Sequence, residues 1–594
     1  MKRVIVLAGA LLFLIGCGRL VKYNPAEWVT YAEQTDFQKT PRYEQTVDYC
    51  RRLADASPMV TYTSFGTSPQ GRELPLLIVD RDGLDTPDKI RQKGRVVMFV
   101  EACIHSGEPD GKDAGLIFIR DMVLGGENQE LLDKVSLLFC PIFNVDGHEN
   151  FGAINRINQN GPDELGTRYT AQLLNLNRDF MKADAPETRA WLKLFSSWLP
   201  ELFIDVHVTD GADFQYVSTY DLDDFGTLMA PAINDWTANV YEKYLNEMMA
   251  SDGFPLLPYF EYYNQDRPED GISRVFFDPR YSESYGAMRN RPSLLIENHI
   301  YKPYRQRVEC TIAYIRNSMK ILAENTETLK DAVRKSDEYV ASAEFRSKPY
   351  VLNFQITDEV KKDVVFLAWG RDTTISDLSG AMWVRHNYNK PINTPTFIKM
   401  GVKPTYTVRI PEYYILMPER GDIAEILALH GVAMSRLDAP VEMEVETYRY
   451  TGGDFSRRQS EGRITVNARY TSQKEKLTAP AGSYVIDMNQ PAAPAAVWAL
   501  EPGAPGSLTY WGFFNSNVQA SNEFWIRKAY MEEKGREMLA KDPSLKAEFE
   551  QKMKDKAFAA NPNAILTFFY DIVKAQSEQN NDLHPAWRLM TRNR

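Results

Sequence analysis

With 594 residues, 44% of them hydrophobic and 25% charged, the chain has the make-up of a globular protein. That length allows about two to four domains and at least one large core. A formal net charge of −11, with no basic tract and no internal repeat, excludes a general nucleic-acid binder.

The first 20 residues read as a targeting signal. Lys2 and Arg3 form a positive start, and the apolar run that follows is too short to span a membrane as a helix. It ends at Leu14-Ile15-Gly16-Cys17, which resembles a bacterial lipobox. Residues 1–16 are therefore expected to be removed and Cys17 lipidated, placing the protein in the bacterial cell envelope. The anchor would hold it at the periplasmic face of the outer membrane or at the cell surface. Of the other cysteines (Cys50, Cys103, Cys140 and Cys310), Cys103 and Cys140 sit inside apolar strand-like runs, and their spacing fits no zinc knuckle. No obligatory disulfide framework is expected.

A helix is expected over residues 43–56, then a hairpin of 61–66 and 74–79 around a turn at Ser68-Pro69-Gln70-Gly71. Four strongly apolar strands follow at 96–104, 135–143, 202–208 and 293–300. Helical patterns at 113–123 and 187–199 separate some of them, which implies an α/β domain with a largely parallel sheet. Residues 311–335 read as a closing helix. After Arg346 the texture changes to short β-type runs at 350–356, 364–369, 405–410 and 464–470. The segment from 522 to 579 is charged and helical.

The chemistry-bearing residues fall at strand ends, where open α/β sheets bind ligands. His105-Ser106-Gly107-Glu108 puts an imidazole at the end of one strand and a carboxylate at the start of a helix, with Pro109 suited to its first turn. His207 arrives from a separate strand as a third candidate ligand. Catalytic zinc sites use three such protein ligands and leave one position for water. Asp205 lies on the same strand face, placed either to orient a ligand imidazole or to pair with a basic group. Glu297 ends an apolar strand, where a carboxylate is costly unless paired or used. It reads as a general base acting on water; a salt bridge to Arg289 or Arg291 is the structural alternative. Asn177 and Arg178 would clamp a substrate carboxylate, and Arg168 would stabilise an oxyanion.

Residues from about 60 to 305 resemble the zinc metallocarboxypeptidases of the carboxypeptidase A type. The matching pieces are Gly66-x-Ser68-x-Gln70-Gly71-Arg72, His105-x-x-Glu108, Asn144-x-Asp146-Gly147, Asn177-Arg178-x-Phe180, His207 and Glu297. The resemblance implies an α/β/α sandwich with a mixed, mostly parallel eight-stranded sheet. It implies zinc, one per chain, on His105, Glu108 and His207, a carboxylate clamp at Asn177 and Arg178, and Glu297 as the base. The Arg168-to-Arg178 spacing is similar to that of the carbonyl-polarising arginine in the cytosolic branch. Where many family members carry an Asp supporting the first ligand histidine, this chain has Asn175. The family's mobile tyrosine is assigned to Tyr285, with Tyr281 the alternative, and Ser282 or Glu283 would line the specificity wall.

The domain reading is a signal peptide over 1–16, a catalytic domain over 40–338, a β-rich accessory domain over 340–520 and a helical segment over 521–594. The expected activity is a zinc metallocarboxypeptidase acting on a peptide or isopeptide bond next to a free carboxylate, on peptide-like substrates and tethered to a membrane by its lipid. The alternatives are a zinc amidohydrolase for peptidoglycan-type γ-glutamyl or acyl-amino-acid amides, or a surface peptide-binding lipoprotein without turnover. Signatures of other hydrolases (His-Glu-x-x-His, Gly-x-Ser-x-Gly and the P-loop) are missing.

Overall fold

A computed structural model describes residues 23–209, 213–223, 225–519, 527–575 and 581–592. The expected signal segment and Cys17 lie outside the described residues. Strands form where the apolar runs are unbroken. β1 (Val60–Thr67) and β2 (Glu73–Val79) make the expected hairpin. β3 (Val96–Ala102), β4 (Val135–Cys140) and β5 (Leu202–Thr209) are buried along their whole length, as strands covered on both faces are. They are followed by β6 (Ser218–Asp221), the short β7 (Tyr262–Tyr263) and β8 (Ile272–Ser273), and β9 (Ser293–His299).

The main sheet runs β1-β2-β4-β3-β5-β9-β6. β4, β3, β5 and β9 are mutually parallel; β2 and β6 pair antiparallel with β4 and β9, and the edge strand β1 pairs antiparallel with β2. The sheet is mixed with a parallel centre, as expected, but among the described residues it has seven strands rather than eight. β7 and β8 pair with each other and with a later hairpin instead of extending it.

Helices cover both faces. Asp110–Val123 lies against β3 and β5. At Gly111 a side-chain carbon would meet Val206 Cβ at 2.7 Å and Ala102 Cβ at 2.9 Å, so only glycine allows that approach. Pro186–Trp198 and Ser282–Met288 cover the opposite face, where Trp191 packs with Phe99, Phe180, Phe195, Phe203 and Tyr285. The expected closing helix is two, Tyr304–Glu324 and Thr326–Val340, because the chain breaks at Asn325, whose φ/ψ of −119° and 21° are not helical.

Beyond residue 340 the scattered β-runs prove to belong to long strands. β10 (Pro349–Ile375) and β11 (Met382–Arg409) form one antiparallel ribbon whose register shifts absorb the breaks in the pattern. β12 (Tyr413–Leu416), β13 (Ser435–Arg436), β14 (Val441–Phe455), β15 (Val466–Ala479), β16 (Tyr484–Asp487) and β17 (Ala586–Leu589) form a third sheet in the order β13-β16-β12-β17-β14-β15. The expected helical tail contains helices at Lys528–Lys541, Pro543–Lys552 and Pro562–Ala575, yet it ends in β17, whose Trp587 and Leu589 fill an apolar cluster with Tyr413, Ile415 and Val445. One hydrophobic core runs from Trp28 to Ala586, so the accessory sheets are packed onto the main one. Cys50, Cys103, Cys140 and Cys310 are buried and free. Among the described residues no helix is long and apolar enough to cross a membrane.

Candidate metal centre and its pocket

The strand ends deliver the site. β3 stops at Ala102, Cys103 turns the backbone through the left-handed region (φ 58°), and His105 follows. Glu108 lies just before the helix Asp110–Val123. β5 carries Asp205 and His207, and its register with β9 sets Glu297 beside His207. Residues in register on neighbouring strands face the same side, so the carboxylate and the imidazole share one pocket.

His105, Glu108 and His207 are the one cluster of potential metal ligands among the described residues, their ligand atoms within 4.8 Å of one another. The two Nδ1 atoms lie 3.1 Å apart, His105 Nδ1 is 3.3 Å from Glu108 Oε1, and His207 Nδ1 is 3.2 Å from Glu108 Oε2. Ligands about 2.0–2.2 Å from a tetrahedral zinc are separated by about 3.3 Å, so the donor set fits that ion in chemistry and spacing. The far side of each ring is fixed. His105 Nε2 is 3.0 Å from Asn175 Oδ1, and His207 Nε2 is 2.7 Å from Asp205 Oδ2. With both Nε2 atoms donating, both Nδ1 lone pairs point to the shared centre. Asn175 thus occupies the supporting place that the resemblance gives to an aspartate.

The electrostatics follow from burial and from these partners. Burial holds His105 down at about 4. Burial acts in the same sense on His207, but the carboxylates of Asp205 and Glu108 outweigh it and push that ring well up. Burial would raise Glu108, yet Arg156 and the two imidazoles hold it well below the usual carboxylate range. Metal ligation requires neutral imidazoles and an ionised carboxylate, and a divalent cation would take the place of the proton that His207 now attracts. Glu297 is half-buried and is pushed up to about 8, by burial first and by Glu108 against the opposing charges of His207, Arg156 and Arg168. It is not paired with the two arginines that offered a structural explanation: Arg291 bonds Asp337 at 2.9 Å, and Arg289 donates to the His430 carbonyl at 2.6 Å.

The surrounding pocket, about 130 Å³, is lined by all three ligands together with Glu297, Arg168, Asn177, Arg178, Tyr281 and Glu283. Arg178 is half-buried, stacks on Tyr281 at 4.1 Å and donates to its neighbour's carbonyl, the Asn177 oxygen, at 2.5 Å. It makes no ion pair with a carboxylate among the described residues. Asn177 accepts a bond from the Ser282 amide at 2.9 Å, so its oxygen is committed to holding the wall in place. Arg168 approaches Glu108 at 3.8 Å and remains 39% exposed, free to turn toward a ligand. Ser282 donates to Asp205 Oδ2 at 2.5 Å, while Glu283, pushed up to about 8 by burial and the charge of Asp221, faces the pocket.

Tyr285 is not in the pocket. It is fully buried in the Trp191 aromatic cluster with its hydroxyl 3.0 Å from His430 Nδ1, and Tyr281, one helical turn earlier, takes the lining position. Two contributors carried no signal in the sequence. Arg156 grips Glu108 Oε1 at 2.6 Å and the Val208 carbonyl at 2.8 Å, in space that exists because residue 107 is glycine: a side-chain carbon there would meet Arg156 Cδ at 2.5 Å. Glu461, from the accessory region, accepts a bond from the Asn175 backbone N–H at 2.8 Å. The motif pieces around Ser68 and Asn144 are structural: Asp146 accepts bonds from Ser68, Gln70 and Arg72, and Asn144 donates to the Arg168 carbonyl at 3.3 Å.

A family model described as zinc carboxypeptidase matches residues 46–253. Carboxypeptidase 2 of Trichophyton rubrum is 22% identical over 499 residues, covering 82% of this chain and 86% of that protein. Carboxypeptidase 2 of Trichophyton tonsurans is 22% identical over 498 residues, covering 80% and 85%. Among solved structures, the metallo-carboxypeptidase of Pseudomonas aeruginosa in complex with (2-guanidinoethylmercapto)succinic acid aligns at 17% identity and a TM-score of 0.37, over 48% of this chain and 69% of that one. Carboxypeptidase A of Helicoverpa armigera aligns at 15% and 0.36, over 50% and 75%. The matched residues include the strands and turns that deliver His105, Glu108 and His207, and they form a domain of the zinc carboxypeptidase family.

Proposed function

We propose that the protein is a zinc-dependent carboxypeptidase that removes a residue bearing a free carboxylate from a peptide or peptide-like substrate. His105, Glu108 and His207 would hold one zinc ion per chain. When bound there, zinc supplies a Lewis acid beside the scissile carbonyl and makes a water more acidic. The observation that carries the reading is Arg178, a half-buried guanidinium in the wall of the ligand pocket with no carboxylate partner among the described residues. A desolvated fork of this kind favours a carboxylate over other ligands. It would seat the terminal carboxylate against Tyr281, with the amide of Asn177 beside it. Arg168 would donate to the carbonyl oxygen as charge develops. Glu297, beside His207, would take a proton from the attacking water and return it to the leaving amine.

The test pairs two substrates and one variant. The zinc-loaded protein should cleave a peptide with a free C-terminus and leave its C-terminal amide intact. Glu297→Gln should keep one equivalent of zinc by elemental analysis while kcat falls by about 10²-fold or more. Unchanged turnover in that variant rejects the mechanism, and equal cleavage of the amide rejects the clamp.

The lipid anchor is part of the same proposal. Mature protein should carry acyl chains on Cys17 and fractionate with membranes, and Cys17→Ser should release it; a soluble, unacylated native protein overturns this.

A further inference from the structure

Resting on the zinc-ligand reading, we infer that Glu101, held as the neutral acid, is a positioning residue for the metal site: it donates a hydrogen bond to the second oxygen of Asp205 and so pins the carboxylate that orients His207. Glu101 lies on β3, before the turn that carries His105, and is fully buried. Among the described residues neither of its carboxyl oxygens has a hydrogen-bond partner. A buried carboxyl group left that way is costly, and the metal chemistry described above does not use it.

Its neighbours account for it. β3 and β5 run parallel with Glu101 in register with Asp205, so both side chains leave the sheet on one face, from strands about 4.8 Å apart. One step down that face the register pair is Phe99 and Phe203, and the Trp191 ring covers them at 6.1 and 5.4 Å. Asp205 is fully buried too. His207 Nε2 at 2.7 Å and the Ser282 hydroxyl at 2.5 Å both bond its Oδ2, while its Oδ1 has no partner among the described residues. The indole nitrogen of Trp191 is likewise buried and unpartnered among them. This layer therefore holds three unserved acceptor oxygens and one N–H, and it is short of a donor. A proton on Glu101 supplies it. The acid O–H then donates to Asp205 Oδ1, and the acid carbonyl accepts from Trp191.

The proton belongs on Glu101 and not on its neighbour. Two ionised carboxylates side by side in a dry layer repel, so one is neutral. Asp205 receives two donors, which favour its charged form, whereas the donor beside Glu101 is the indole. Burial first, and then the charge of Asp205, push Glu101 well above the usual carboxylate range, against a weaker pull from Trp191 and His207. The strand on its other side adds the buried thiol of Cys140, in register on β4. With both oxygens of Asp205 bonded, that carboxylate cannot turn, and Oδ2 stays aimed at the imidazole. The ring is thereby fixed with Nδ1 toward the ligand centre. Outer contacts of this kind are worth about 10- to 100-fold in metal affinity.

Three measurements on the full chain test this, two of them on metal-free protein so that they stand apart from the carboxypeptidase reading. In infrared difference spectra at neutral pH, wild type minus Glu101→Gln should show the carbonyl stretch of a protonated carboxyl group. A carboxylate band in its place overturns the inference. In thermal melts from about pH 5 to 8, Glu101→Gln should gain on wild type as pH rises, because the wild-type fold keeps a proton that an unfolded glutamate releases above about 4.3. A constant difference overturns it. By chelator competition, Glu101→Gln, which keeps a donor and an acceptor, should hold zinc within about threefold of wild type, while Glu101→Leu should lose about 10- to 100-fold. Equal affinity in all three proteins, or a loss in the Gln variant as large as in the Leu variant, overturns the positioning role. Failure of wild type to bind zinc, with the protonated carboxyl in place, overturns the carboxypeptidase reading and upholds the bond from Glu101 to Asp205. If Glu101→Leu does not fold, the infrared and melting results on Glu101→Gln decide without it.

Discussion

Asn175 is the residue through which the metal site is most open to tuning. Its side-chain oxygen accepts from His105 Nε2 and from the Asn177 amide, both at 3.0 Å, so one amide orients a ligand and the loop that carries the clamp. An aspartate there would add charge to the acceptor and raise the basicity of the ring, and an alanine would leave the ring unsupported. Chelator competition should therefore rank zinc affinity Asn175→Asp above wild type and wild type above Asn175→Ala, with about 10- to 100-fold lost in the alanine variant. Identical affinities would mean that the contact does not orient the ring. The metal-binding positions were legible in the sequence because few residue types do this chemistry and the strand ends are marked by apolar runs. Arg156 was not legible, since an arginine near an asparagine is common and only the fold shows it bonded to Glu108. Tyr285 and Tyr281 are separated by one helical turn, and spacing alone does not say which ring faces the core.

A loop of the accessory region, 286 residues away in sequence, holds the segment that bears the clamp. Glu461 bonds the Asn175 amide, and Arg463 grips Asp184 through two bonds of 2.6 Å. Glu461 itself lies in the left-handed region (φ 49°), a conformation unusual for a residue with a side chain and sustained here by its neighbours. Glu461→Ala should lower kcat/KM about tenfold and hasten zinc loss to a chelator, since one half-buried charge-assisted bond disappears. Glu461→Gln keeps an acceptor oxygen and should restore most of the activity; if Gln and Ala behave alike, the contact is incidental. The strands of the main sheet could be read from their apolar runs, but the ribbon β10–β11 could not. Its exposed faces lack a regular alternation, and Pro391, Pro395 and Pro404 read as breaks, although a two-stranded ribbon leaves outer edges where a missing N–H costs little.

At the scale of the molecule, the accessory region and the catalytic domain share buried polar joints. His430 is buried with Nδ1 at 3.0 Å from the Tyr285 hydroxyl and Nε2 at 3.2 Å from the Met181 carbonyl, and Arg289 donates to the His430 carbonyl. Burial, with Arg289 adding to it against the Met181 carbonyl, holds the ring down at about 4. An unfolded histidine titrates near 6.5. Between about 6.5 and 4 the unfolded chain therefore binds a proton that the fold refuses. The stabilisation is complete above that window and is lost as pH falls through it, by up to about 3 kcal/mol. The melting temperature should drop over this range, and less steeply in His430→Asn; parallel slopes would remove His430 as a contributor. At neutral pH, stripping zinc should lower the melting temperature, because an ion bound only by the native state stabilises it by mass action.

The placing of β17 has a consequence for biosynthesis. It enters the third sheet between β12 and β14, although those strands leave the ribosome more than a hundred residues earlier. Until Ala586–Leu589 arrives, both neighbours present a bare row of amide and carbonyl groups, and Glu501 lacks Arg588, its buried ionic partner. A premature stop that deletes only the last dozen residues would thus forfeit an interior strand and leave two sticky edges for chaperones or proteases to recognise.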